Sequence, residues 1–199
     1  KNLNFEDIPR SSLLKKEAEF IEALGIKSFY DFLSLPIETL SNIMTFKAIL
    51  KKLPNELLGY ESNFTKVPLS LKDMWKIALI DTSQDQKMRD IVSERVLDGI
   101  TLEESGEKVG ITRERVRQLE SRFKNSLDLF LNPAFREIKE CVEQRGIFSV
   151  IELEMAIPSF RGITQLAFAS KKQDKFFNFI FEKSEDFFSY FLEDADIKI

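Results

Sequence analysis

The chain has 199 residues, 43% of them hydrophobic, enough to bury a sizeable core in one large or two to three small domains. It contains no histidine and one cysteine, Cys141, which removes the commonest general base, the commonest metal ligand and any internal disulfide. A net charge of −4 argues at first against nucleic acid as a partner, although the placement of charge matters more than its total.

No stretch approaches the roughly 18 unbroken apolar residues of a membrane span, and nothing at the N-terminus reads as a signal peptide. The lone cysteine fits a reducing compartment, so a cytoplasmic location is expected. Because residue 1 is lysine, the chain is expected to be a piece of a longer protein. Neither a Gly-x-Gly-x-x-Gly nor a Gly-Lys-Ser/Thr phosphate loop is present. Carboxylates are plentiful, but none cluster among strand and turn signals. No catalysis, cofactor or metal is therefore expected.

Helix punctuation is dense and strand signals are sparse, which predicts a mainly α chain of many helices. Ser12 to Leu24 places Leu13, Leu14, Phe20, Ile21 and Leu24 along one helix, stopped by Gly25. Ser28 precedes a short helix with Phe29, Tyr30, Phe32 and Leu33. Another helix starts at Pro36, and a third follows Thr45 with Phe46, Ile49, Leu50 and Leu53. Residues 59–68 combine Gly, Ser, Asn, Thr and Pro and read as a linker. Ser70 caps a helix carrying Leu71, Met74, Trp75, Ala78 and Leu79. Met88, Ile91, Val92, Val96 and Leu97 form the next apolar face, ended by Gly99.

Further on, Asn132-Pro133 reads as a cap followed by proline at the first helical position, opening a helix that runs to Gly146. Phe148 fits a short strand, and Ser149 a cap for a helix ending near Pro158. The last segment holds Phe176, Phe177, Phe179, Phe181, Phe187, Phe188, Tyr190 and Phe191. Such a stripe could stack on bases, but Glu182, Glu185, Asp186, Glu193, Asp194 and Asp196 would repel phosphate, so core packing or a protein interface is expected. A β-strand around Phe187 to Leu192 would make a small winged-helix-like element near the C-terminus. Three domains follow: 1–60 small and helical, 68–131 central, 132–199 helical or winged-helix-like.

The informative stretch is Thr101 to Glu120. Thr101 caps a helix, and Glu104 completes a capping box. Gly110 sits where that helix must stop and reverse, a position favouring positive φ. Gly106 lies on the inner face, where a missing side chain lets two helices cross closely. Thr112 caps the second helix, and Val109, Ile111, Val116 and Leu119 supply the apolar contacts. These are the spacings of a helix-turn-helix.

With Val116 and Leu119 inward, Arg113, Glu114, Arg117, Gln118 and Ser121 project outward. They are side-chain types that read base edges: arginine to guanine, glutamine to adenine, glutamate from cytosine. Thr101, Thr112, Arg115, Arg122 and Lys124 suit the DNA backbone, the last three also intrahelical pairing with Glu120. From Lys108 to Lys124 six cations face two anions, a net +4, leaving −8 for the rest of the chain. The alternative is a charged amphipathic helix pair with solvated arginines.

Thr101-Leu-Glu-Glu104 and Ile111-Thr-Arg-Glu-Arg-Val-Arg-Gln-Leu-Glu120 resemble region 4 of the bacterial primary sigma factors, as does the preceding Arg89-Asp-Ile-Val-Ser-Glu-Arg95-Val-Leu97. The likeness covers about residues 84–127. It implies that Arg113, Glu114, Arg117 and Gln118 contact bases of the −35 promoter element, and that the flap of the RNA polymerase β subunit is a partner. Ser105 departs from the family, which carries a bulky aliphatic there, so looser packing of the first helix is expected. No counterpart exists of the aromatic-rich region that melts the −10 element. Residues 20–55 faintly resemble helix-hairpin-helix modules such as the polymerase α C-terminal domain. The hairpin would be Met44-Thr45-Phe46, without the glycine that presents N–H groups to phosphate.

The leading expectation is sequence-specific binding of double-stranded DNA in transcription, as a sigma-like factor or a regulator. Two other classes stand beside it. One is a protein-interaction module contacting RNA polymerase or a sigma factor; the other is the DNA-targeting part of a larger enzyme. Oligomeric state is not legible.

Overall fold

The computed structural model describes residues 10–53, 65–145 and 149–181; every regular element among them is helical and none is a strand. The strand and winged-helix-like element expected at Phe148 and Phe187 to Leu192 fall outside the described residues.

Four short α-helices follow a 3-10 turn at Arg10–Ser12. α1 is Lys15–Ala23, followed by Gly25 in the left-handed region at φ 67°. α2, Phe29–Leu33, starts at Ser28, whose hydroxyl accepts from the Asp31 N–H while the Asp31 carboxylate accepts from the Ser28 N–H. α3 is Ile37–Leu40 and α4 is Met44–Leu50. The expected cap at Thr45 falls two residues late. Ile43 stands at the cap position, and the buried Thr45 hydroxyl instead donates to Asp81 Oδ1 at 3.1 Å. Met44-Thr45-Phe46 is therefore the first turn of α4 and not a hairpin; residues 41–43 join α3 to α4. Phe32 stacks on Phe46 at 5.2 Å, with Phe20 tilted against it.

Past the expected linker, of which residues 65–68 are described and exposed, α5 (Leu71–Thr82) is capped by Ser70 and α6 (Gln86–Asp98) by Asp85. α7 is Leu102–Val109 and α8 is Arg113–Arg145. The helix break expected at Asn132-Pro133 does not occur: Pro133 lies inside α8. Proline there forfeits one N–H bond and crowds the preceding turn, at about 3 kcal/mol. Phe130, Leu131, Ala134 and Ile138 are all buried around it, and at about 1.5–3 kcal/mol for each large side chain their burial offsets that cost.

α9 (Val150–Ala156) begins at Ser149 as its spacing predicts, and α10 (Ile163–Ala169) and α11 (Gln173–Phe181) complete the described residues. Phe176 and Phe181 are buried, and Trp75 meets Phe123 edge-on at 4.8 Å and Phe176 at 6.0 Å. The described part of the aromatic stripe is core. Buried residues from Phe20 to Phe181 form one hydrophobic cluster, drawing on α1, α4, α5, α6, α8 and α11. An ionic seam accompanies it: Lys52–Glu17 at 2.5 Å, Arg89–Glu19 at 2.8 Å and Lys16–Asp81 at 3.5 Å.

Candidate nucleic-acid interface

α7, the turn after it and the first three turns of α8 make the interface. At the α7 N-terminus, Thr101 Oγ1 accepts from the Glu104 N–H at 3.2 Å, and the Glu104 carboxylate accepts from the Thr101 N–H at 2.7 Å. That backbone bond, chiefly, holds the Glu104 carboxyl below its usual range. Gly110 ends α7 at φ 72°, a conformation that costs an L side chain about 1–2 kcal/mol. Gly106 is buried, and a Cβ on it would stand 2.5 Å from the Ile111 carbonyl oxygen. Its missing side chain is what admits the turn backbone.

Ser105, where the family resemblance leads one to expect a bulky aliphatic, is fully buried, and its hydroxyl donates to the Thr101 carbonyl at 2.7 Å. The polar group is thus satisfied within its own helix.

α8 starts at Thr112, whose Oγ1 accepts from the Arg115 N–H at 3.2 Å. Val116, Leu119 and Phe123 turn inward and are buried. Arg113, Glu114, Arg115, Arg117, Gln118, Ser121 and Arg122 are exposed, as are Thr101 and Thr112, while Lys124 is half-buried. The expected base-reading residues therefore share one outer surface at the start of α8.

They are also tied to one another. Glu114 accepts from Arg117 Nε at 2.8 Å and Nη2 at 2.7 Å, and more weakly from Gln118 Nε2 at 3.4 Å. The Arg117 hydrogen bond, first, lowers the Glu114 pKa, and Glu114 raises that of Arg117. Bonding through Nε and Nη2 leaves the Nη1/Nη2 edge of the guanidinium facing away from Glu114, and that edge can address a guanine. Arg115 Nη1 donates to Gln118 Oε1 at 3.3 Å, and Arg113 pairs with Glu103 of α7 at 2.8 Å.

Glu120 reaches across to another helix. It accepts from Arg95 Nε of α6 at 2.6 Å, and Arg95 also donates to the Ile100 carbonyl. Lys124 lies over the Phe179 ring, 5.8 Å from its centroid. Arg95 and Glu103 are the residues that sequence reasoning missed. Arg95 was legible only as one of several charges on α6, with no local signal for its partner.

A capped helix, a left-handed glycine turn and a second helix with outward Arg, Glu and Gln define this unit as a helix-turn-helix. Residues 85–123 match the family model Sigma-70, region 4, so this segment is a DNA-binding helix-turn-helix of the transcription machinery. The match covers a minority of the chain. No curated protein and no solved structure matches it. No described helix is long and apolar enough to cross a membrane, and no group of metal-ligating side chains occurs among the described residues.

Proposed function

We propose that the protein binds double-stranded DNA sequence-specifically through α8 and acts in cytoplasmic transcription as a sigma-like factor or regulator. Residues 68–131 would serve as its DNA-binding domain. The observation that carries this reading is the shared exposure of Arg113, Glu114, Arg117, Gln118 and Ser121 at the start of α8. Base edges are read by those five side chains. Thr101, Thr112, Arg115, Arg122 and Lys124 hold the backbone. The +4 window within an otherwise acidic chain discourages indiscriminate coating of DNA. RNA polymerase, through its β flap, is the protein partner that the family match suggests.

Selection of bound duplexes from a random library tests this directly, with enrichment of one element expected. Arg117→Ala and Gln118→Ala should each weaken binding to that element by about 1–3 kcal/mol and relax preference at one position. Wild-type selectivity in both variants refutes the reading. Retention of core polymerase without any duplex binding would favour the protein-interaction class instead.

A further inference from the structure

The junction between α10 and α11 lies outside the matched segment, yet it is fastened to the loop that leads into α7. The buried Ser170 donates its hydroxyl to the Leu97 carbonyl. The Lys171 N–H donates to Asp98 Oδ1 at 3.0 Å, and its ammonium pairs with Asp98 Oδ2 at 3.2 Å. The stem of Lys175 crosses Gly99 so closely that a Cβ there would overlap it, and its ammonium reaches the Gly99 carbonyl at 3.4 Å. Between them stands Lys172, exposed. After the larger effect of the Thr101 hydrogen bonds, Lys172 and Lys108 both contribute to lowering the Glu104 pKa, so Lys172 lies within electrostatic reach of the first turn of α7.

When a helix-turn-helix docks, its second helix enters the major groove and its first crosses the sugar–phosphate backbone. Phosphates are then met near the N-terminus of that first helix. Lys171 is held on Asp98 and Lys175 on Gly99, two to three residues before the Thr101 cap, with Lys172 between them in sequence. Lysine suits the task, because its stem packs on the protein while its head stays in water.

We propose that Lys171, Lys172 and Lys175 form a phosphate-binding shelf that extends the footprint of the helix-turn-helix along the duplex flanking the element read by α8. The carboxylates nearby are already engaged: Asp98 by Lys171, Glu103 by Arg113, Glu104 by Thr101. Asp174, in the first turn of α11, is the remaining acidic neighbour on that element. The shelf rests on the DNA-binding reading above and adds to it a sequence-independent surface in the C-terminal helices.

Fluorescence anisotropy with the selected duplex tests it across 50 to 200 mM salt. Each phosphate contact contributes roughly 3.5-fold to the loss of affinity over that range. Lys171→Gln/Lys172→Gln/Lys175→Gln should therefore lose roughly 40-fold less affinity than wild type over the same interval. Lys172→Gln alone should lose roughly 3.5-fold less, and it leaves the Asp98 and Gly99 contacts in place. A charge-matched control on the N-terminal helices, Lys15→Gln/Lys47→Gln/Lys51→Gln, should keep the wild-type slope. Trimming the flanking base pairs on one side should weaken wild type and leave the triple variant unmoved. Wild-type slopes in both shelf variants overturn the shelf, and if Arg117→Ala still relaxes selectivity the α8 reading stands without it. Failure of the wild-type protein to bind any duplex overturns both.

Discussion

Gly106→Ala is the sharpest probe of the helix-turn-helix geometry, because two effects of known size oppose each other there. Alanine in a helix interior is favoured over glycine by about 0.5–1 kcal/mol. Against this, the new Cβ would stand 2.5 Å from the Ile111 carbonyl oxygen, where real Cβ atoms essentially never come within 3.0 Å, and its next neighbours, Arg113 N and Thr112 C, are at 3.5 Å. The obstacle is backbone, not the far end of a flexible side chain. The Ile111 N–H moreover donates to the Gly106 carbonyl at 3.0 Å, so the turn is pinned to the residue that must push it away. Overpacking of this kind costs about 1–3 kcal/mol, which exceeds the propensity gain and leaves a net loss of about 1–2 kcal/mol. For a chain of this length that lowers the melting temperature by about 2–8 °C, measurable by circular dichroism. The relief of strain must also move the start of α8, so affinity for the selected duplex should fall further than the melting temperature alone requires. A variant as stable as wild type, with unchanged DNA affinity, refutes the claim that close approach at Gly106 sets the crossing of the two helices.

Three further outcomes follow from the packing. Lys52→Ala leaves the Glu17 carboxylate buried, accepting from the Leu14 N–H but without its cation, and should cost about 3 kcal/mol in urea unfolding; Glu17→Gln/Lys52→Met, which removes both charges, should recover most of it. Ser105→Ala should change stability by less than about 1 kcal/mol, since the Thr101 carbonyl keeps the Ser105 N–H, whereas Ser105→Leu should lose about 1–3 kcal/mol by overpacking. The Glu114 carboxyl titrates below its ordinary range because of Arg117; a lowered carboxylate stabilises above its unfolded pKa and loses that contribution as pH falls through the folded value. Carbon-detected NMR should therefore show Glu114 ionised at pH values where free glutamate is protonated, and Arg117→Ala should raise its pKa towards the ordinary range.

The helix-turn-helix was legible because its signals are local. Thr101, Glu104, Gly110 and Thr112 act within one turn of themselves, and the inward spacing of Val116 and Leu119 dictates which residues remain outside. Three things were not legible. Whether Pro133 breaks α8 depends on what packs around it, and burial of Phe130, Leu131 and Ile138 outweighs the local rule. The partner of Glu120 lies on α6, and no pattern in the sequence points to Arg95. Thr45 reads as a cap but is drawn inward to Asp81, because a buried hydroxyl with an acceptor at hand has no need to cap. In each case tertiary contacts decide between local options that the sequence leaves level.

The same contacts explain how a phenylalanine-rich helix near the C-terminus can serve a basic reading surface. Ten residues separate Arg113 from Phe123, roughly 15 Å along a helix, so small rotations at Phe123 move the reading face. Phe123 is fully buried against Trp75, with Phe179 stacked at 6.1 Å, and Trp75 in turn meets Phe176. Before Phe123 is reached, Arg95 joins Glu120 to the Ile100 carbonyl, fixing α8 to α6 and to the loop before α7. The aromatic helix α11 therefore clamps α8 at Phe123, behind the candidate reading residues. Shortening Phe176 or Phe179 should loosen α8 at its root and weaken selectivity at positions that neither residue can touch.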